Sequence, residues 1–87
     1  MNIKDFDFII DVRSSEEFHM EHIPESMNVS LDKLANNFNE TEFSKIDKNK
    51  KILLVCESGG RAALAKEILE EKGFNNLENG GPWKNWK

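Results

Sequence analysis

The segment 52–55 constrains the fold of this chain most strongly, because all four of its residues are apolar and Cys56 follows directly. A continuous apolar run is typical of a strand buried on both faces of a parallel sheet, whereas a half-exposed strand alternates apolar and polar residues. The segment 6–12 has a similar run and is also expected to be a strand. Helical patterns follow both segments, and alternating strands and helices predict an α/β fold with right-handed crossovers.

Helix start and stop signals divide the rest of the chain. Ser14 followed by Glu17 is the pattern of a capping box, and it predicts a short helix that ends before Pro24. Ser30 is the expected N-cap of a second helix, and a third is expected over 60–72. The apolar side chains expected to face inward on this third helix are Leu64, Ala65, Ile68 and Leu69.

The remaining predicted elements are short. Brief strands are expected at 28–30 and 74–78, followed by a break in the chain at 80–82. Trp83 and Trp86 are three residues apart, which predicts that they lie on one face of a helical turn.

Length and composition limit the class of protein. Residues 1–87 are enough for a single small domain, and a net charge of −4 argues against a nucleic-acid-binding face. No apolar stretch reaches membrane-spanning length, so no membrane partner is expected. One cysteine cannot form an internal disulfide or a CxxC pair, so nothing requires an oxidising compartment and a cytoplasmic location is expected.

The loop that follows segment 52–55 carries the residues best suited to chemistry. A thiol between a buried strand and a helix start lies where backbone N–H groups converge and favour the nucleophilic thiolate. Glycines let the backbone approach a ligand closely, so successive N–H groups can form an anion-binding nest. The loop residues are Cys56, Glu57, Ser58, Gly59, Gly60 and Arg61.

The reaction type follows from the single thiol. Because no second cysteine is present to resolve an oxidised intermediate, Cys56 suits covalent group transfer better than thiol–disulfide exchange. A terminal sulfur, a sulfonate and a phosphate would each fit a nest of N–H donors. The alternative is that Cys56 is only a small buried apolar residue.

Two charged residues are expected beside this loop. Asp11 and Arg13 come at the end of the first predicted strand, and ligands of parallel sheets bind at the carboxyl ends of the strands. These residues could shape the rim of the site, although a structural ion pair at the strand end is the more common arrangement.

Four motifs in order resemble the rhodanese family, the sulfurtransferase homology domain, in its single-domain form. The first is segment 9–13, the second is Glu17 with segment 22–24, the third is the loop 56–61, and the fourth is segment 79–81 with Trp83. The resemblance implies a rhodanese-like fold, with a small central parallel β-sheet flanked by helices.

The resemblance also implies a mechanism without a metal or organic cofactor. Cys56 would accept sulfane sulfur from thiosulfate or a thiol persulfide, and would pass it from the Cys56 persulfide to cyanide or a thiol. The N–H groups of residues 57–61 would cradle the terminal sulfur, and Arg61 would stabilise the loop and the bound anion. A protein could also serve as sulfur donor or acceptor.

Two other functions are compatible with the same motifs. The domain could be a non-catalytic or protein-loaded sulfur carrier or signalling module. It could also be a phosphatase or arsenate-reductase relative, although these proteins typically have a loop one residue longer. If the protein is a sulfurtransferase, the negative charge of Glu57 makes the entrance of the loop less positive than in a site built for thiosulfate. A thiol persulfide is therefore a serious candidate donor.

Overall fold

The structure is a computed structural model that describes residues 2–87. Strands and helices alternate along the chain, as the apolar runs predict. The strands are β1 (Phe8–Asp11), β2 (Met27–Asn28), β3 (Ile52–Cys56) and β4 (Leu77–Pro82). The helices are α1 (Ser15–Met20), α2 (Leu31–Asn36) and α3 (Gly60–Glu71). Short 3-10 turns cover Ile3–Asp5, Phe38–Glu40, Glu42–Lys45 and Trp83–Trp86.

The four strands form one parallel sheet in the order β2-β1-β3-β4. In its register, Asp11 lies opposite Val55 and Cys56 lies opposite Pro82. The sheet therefore brings the carboxyl ends of β1, β3 and β4 to one edge, as parallel connectivity requires. The α/β fold with a small central parallel sheet and flanking helices is confirmed.

Both faces of β3 are buried, which explains why its apolar run is continuous. Ile52, Leu54 and Cys56 pack in the core on one face, together with inward-facing residues of α2 and α3. Leu53 and Val55 belong to a second core cluster on the opposite face. The period-2 geometry of a strand divides these residues between the two clusters.

Helix α3 buries only part of the predicted stripe. Leu64 was expected to face inward, but it is 52% exposed, and Ile68 is only partly buried. The buried positions are Ala62, Ala65 and Leu69, a stripe with helical spacing of three and four residues. Ala65 and Leu69 are therefore confirmed as inward-facing, whereas the burial of Ala62 was not predicted.

The last strand also differs from its predicted position. It begins at Leu77 instead of position 74 and continues through the segment 80–82, where a break was expected. Gly80 is the extra residue of a β-bulge, because Leu54 pairs with Asn79 and Val55 pairs with Gly81. A Cβ at Gly80 would lie 2.7 Å from Leu53 Cδ1, so the strand needs glycine there. Pro82 is tolerated because β4 is an edge strand.

The other predictions need only small changes. The first strand is shorter than segment 6–12, and the second lies one or two residues before segment 28–30. The capping box of Ser14 and Glu17 is confirmed, and so is the helical turn that carries Trp83 and Trp86. Within residues 2–87, no helix combines the length and apolar character needed to cross a membrane.

Candidate active site

The candidate nucleophile lies at the carboxyl end of the central strand β3. Cys56 is the last residue of that strand, and it is 1% exposed. The backbone N–H of Gly59 donates a hydrogen bond to Cys56 Sγ, with a nitrogen–sulfur distance of 2.8 Å. Helix α3 begins at the next residue, so the sulfur also faces a helix N-terminus. A directed N–H and a helix N-terminus both stabilise negative charge at this position.

Gly59 gives the loop its shape. Its φ of 100° lies in the left-handed region, which an L side chain rarely occupies. The carbonyl of Gly59 accepts a hydrogen bond from Asn79 Nδ2 at 3.1 Å, and Asn79 Oδ1 accepts one from the N–H of Gly81 at 2.9 Å. Asn79 of strand β4 thus anchors the loop through its hydrogen bond to the Gly59 carbonyl. Asn79 was placed in a motif but was not recognised as a loop-holding residue, and its only sequence signal was its place before two glycines.

Arg61 makes its principal contacts with a carboxylate and not with the loop mouth. Its Nη1 and Nη2 atoms donate to Glu17 Oε1 and Oε2 at 2.6 and 3.0 Å. Glu17 also completes the cap of α1, where its Oε1 accepts from the Ser14 N–H. The Arg61 hydrogen bonds, helped by the Ser14 N–H, lower the pKa of Glu17 from 4.5 to about 2. The same pairing raises the pKa of Arg61. This ion pair joins the start of α1 to the start of α3.

Asp11 and Arg13 form the structural ion pair that is common at strand ends. Arg13 Nη2 lies 2.8 Å from Asp11 Oδ2, and both side chains are buried. Arg13 also donates to the carbonyl of Glu21 at 2.7 Å, which fixes the end of α1. The pair therefore supports the walls around the loop, next to the strand β3 that carries Cys56.

Glu57 turns towards the C-terminal turn. The indole N–H of Trp83 donates to Glu57 Oε1 at 3.2 Å, and Arg13 Nη1 lies 3.9 Å from the same oxygen. The Arg13 guanidinium stacks over the Trp83 ring, 4.5 Å from its centroid. Trp83 thus packs in the core and also donates a hydrogen bond to the side chain of the loop residue Glu57. Among the other loop residues, Ser58 and Gly60 are exposed.

A cleft of about 450 Å³ lies beside the loop and shares Arg61 with it. Its other walls come from residues at the carboxyl ends of strands and from α2, including Val12 and Leu31. Cys56 is not among the residues that line this cleft, so the cleft adjoins the sulfur site but does not contain it.

The chain is similar to known proteins along nearly its whole length. The sequence model of the Rhodanese-like domain matches residues 1–87. Thiosulfate sulfurtransferase PspE of Escherichia coli strain K12 is 33% identical over 75 residues, which cover 86% of this chain and 69% of that protein. Rhodanese domain-containing protein CG4456 of Drosophila melanogaster is 35% identical, covering 91% of this chain and 80% of that protein.

A solved structure, the rhodanese with anions from E. coli, superposes on this one with a TM-score of 0.76 at 32% identity. The superposition covers 90% of this chain and 88% of that chain. Sequence and fold therefore both show that the chain belongs to the rhodanese family.

Proposed function

We propose that this protein is a single-domain sulfurtransferase that carries sulfane sulfur on Cys56. The thiolate of Cys56 attacks the outer sulfur of the donor, a new S–S bond forms, and the donor's own bond to that sulfur breaks. With thiosulfate the leaving group is sulfite, and with a persulfide it is a thiolate. The Cys56 persulfide then gives its outer sulfur to cyanide or a thiol, which regenerates the Cys56 thiolate.

The observation that carries this proposal is the hydrogen bond from the Gly59 N–H to Cys56 Sγ. The thiolate is the nucleophile, and the contact stabilises its negative charge before attack. The leaving sulfur of the second half-reaction is the same atom, so one fixed donor assists both steps. The name of the E. coli relative PspE supports thiosulfate as a donor to be tested.

The neighbouring residues would position the loop. Gly59 supplies its turn and Asn79 holds its carbonyl, while Arg61 fixes the start of α3 through Glu17. In this proposal Arg61 acts on the loop and not as a free cation for the substrate. Because Cys56 must stay reduced between turnovers, the proposal fits a reducing compartment such as the cytoplasm.

Steady-state formation of thiocyanate from cyanide tests the proposal with thiosulfate and with an alkyl persulfide as donors. The wild-type protein is expected to turn over at least one of these donors, and Cys56→Ser is expected to turn over neither while keeping a native circular dichroism spectrum. Turnover retained in Cys56→Ser would overturn the assignment of the nucleophile. A folded wild-type protein that is inactive with both donors, but receives sulfur from a partner protein, would favour the carrier function.

A further inference from the structure

Both arginines near the sulfur are already neutralised by a carboxylate. Arg13 donates from Nε and Nη2 to Asp11 at 2.8 to 3.0 Å, and Arg61 donates from both Nη atoms to Glu17 at 2.6 and 3.0 Å. Each guanidinium is thus paired with a carboxylate in a two-point geometry, the strongest arrangement for such a pair. Within residues 2–87, the loop 56–61 contains no cation other than Arg61.

Glu57 adds a negative charge directly after the nucleophile. Its carboxylate accepts from the Trp83 indole, a neutral donor, and its distance of 3.9 Å from Arg13 is too long for a hydrogen bond. Lys84 and Lys87 each place Nζ 5.8 Å from the Trp83 ring centroid at the exposed C-terminal turn. Lys87 is also paired with the Glu21 carboxylate, which leaves Lys84 as the less restrained cation. The surface around Cys56 therefore offers the Gly59 N–H together with the carboxylate of Glu57, which Trp83 holds in place.

We propose that the sulfur donor is an organic persulfide of low charge, and that Glu57 selects against the thiosulfate dianion. The inference rests on the proposed function and names the substrate class of the same site. It follows from the charge at the loop: attack on thiosulfate brings a dianion to a thiolate beside Glu57, whereas attack on R–S–SH brings a neutral molecule.

The persulfide reaction balances without an added oxidant. The Cys56 thiolate attacks the outer sulfur of R–S–SH, the S–S bond of the donor breaks, and its electron pair leaves with R–S⁻. The proton stays on the transferred sulfur as Cys56–S–SH or is released to solvent. With the proton on the transferred sulfur, one negative charge is present before and after the step, and it passes from Cys56 to R–S⁻.

The test compares the rates at which the two donors load Cys56, measured by rapid quench and intact-protein mass spectrometry. The donors are thiosulfate and the persulfide of 2-mercaptoethanol, whose organic group carries no charge and which is generated from the trisulfide by exchange with 2-mercaptoethanol. Glu57→Gln keeps an oxygen for the Trp83 N–H and removes only the charge. Glu67→Gln, an exposed charge on α3, is the matched control, and Lys84→Gln tests the nearby cation.

We expect the wild-type protein to load faster from the persulfide than from thiosulfate. Glu57→Gln is expected to raise the thiosulfate-to-persulfide ratio of loading rate constants about tenfold, the effect of one nearby charge on a dianion at partial solvent screening. Added salt is expected to raise this ratio in the wild-type protein and to change it less in Glu57→Gln. Glu67→Gln and Lys84→Gln are expected to leave the ratio within about twofold of wild type.

Loading from both donors with a ratio that Glu57→Gln does not change would overturn the selectivity of Glu57 and leave the proposed function intact. A ratio that falls strongly in Lys84→Gln would also overturn the inference, because it would identify a cation that recruits thiosulfate. Failure of a folded wild-type protein to load from either donor would overturn the small-molecule sulfurtransferase proposal and the inference with it.

Discussion

Replacing Gly59 by alanine is expected to distort the loop at the atom that contacts the sulfur. The residue has a φ of 100°, and a Cβ placed there would lie 3.3 Å from the Cα of Gly81. That neighbour is backbone of strand β4 and cannot rotate away as a side chain would. The loop must therefore either keep a strained conformation or move, and movement displaces the N–H that donates to Cys56.

The expected cost combines these two effects. Left-handed backbone costs an L residue about 1–2 kcal/mol, and a tight contact with backbone adds a fraction to that value. We therefore expect Gly59→Ala to lower the free energy of unfolding by about 1–3 kcal/mol. Loss of a directed N–H donor at a reacting centre lowers rates about a hundredfold or more, so a displaced donor is expected to slow sulfur transfer at least about tenfold.

Gly60→Ala is the matched control, because it changes the next residue without the same strain. Gly60 lies in the first turn of α3, and its Cβ would meet nothing closer than Ser58 Oγ at 4.0 Å. Alanine is the better helix former by up to about 1 kcal/mol, so this variant is expected to be as stable as wild type or slightly more stable.

Urea unfolding followed by tryptophan fluorescence measures the stabilities, and thiocyanate formation measures the transfer rates. Equal stability of Gly59→Ala and Gly60→Ala, with equal transfer rates, would refute the reasoning, because it would mean that the left-handed residue and its contact with β4 have no energetic role.

Two further predictions concern the residues that hold the loop. Asn79→Ala removes the hydrogen bonds to the Gly59 carbonyl and from the Gly81 N–H, so it is expected to lower the free energy of unfolding by about 1–3 kcal/mol and to slow sulfur transfer. Asn79→Asp is expected to be intermediate, because it keeps the acceptor for the Gly81 N–H. Wild-type transfer kinetics in Asn79→Ala would contradict this role of Asn79. The depressed pKa of Glu17 means that its ion pair is fully present above pH 4.5 and is lost as pH falls towards about 2. In Glu17→Gln, the free energy of unfolding at neutral pH is expected to fall by about 1 kcal/mol or less, since the ion pair is partly exposed. Between pH 4.5 and about 2, this variant is expected to lose less stability than the wild-type protein. Parallel profiles of stability against pH in the two proteins would contradict this prediction.

The sequence predicted the parts of the fold that depend on strong local patterns. The apolar run of β3 and the Ser14 capping box carry their own signals, because burial on both faces and helix capping each demand particular residue types. The position of Cys56 at the end of β3, in front of α3, followed from these two kinds of signal.

The parts that were missed depend on contacts between distant segments. Leu64 is as apolar as an inward-facing residue, and only the docking of α3 on the sheet shows that Ala62 is buried and Leu64 is not. Gly80 was expected to break the chain, but it is the extra residue of a bulge in β4, at a point where Leu53 and Trp86 leave little room for a side chain. Local sequence cannot show which strand will lie against a glycine.

The partners of the site residues have the same origin. The resemblance implied that Arg61 stabilises the loop and the bound anion, but it did not indicate that Glu17, 44 positions earlier in the chain, binds both Nη atoms of its guanidinium. The Trp83–Glu57 hydrogen bond likewise joins segments 26 positions apart. Residue types and motif order indicated which side chains gather at the sheet edge, whereas the pairing between them required the folded chain.

The most direct test of the central claim is the mass of the intact protein after exposure to a sulfur donor. After treatment with thiosulfate or the alkyl persulfide and removal of excess donor, the wild-type protein is expected to gain one sulfur atom. Cyanide should remove that atom and yield an equal amount of thiocyanate, and Cys56→Ser should gain none. A folded wild-type protein that gains no sulfur from either donor would contradict the small-molecule sulfurtransferase proposal, and a Cys56→Ser protein that gains as much as wild type would contradict the claim that Cys56 is the sulfur carrier.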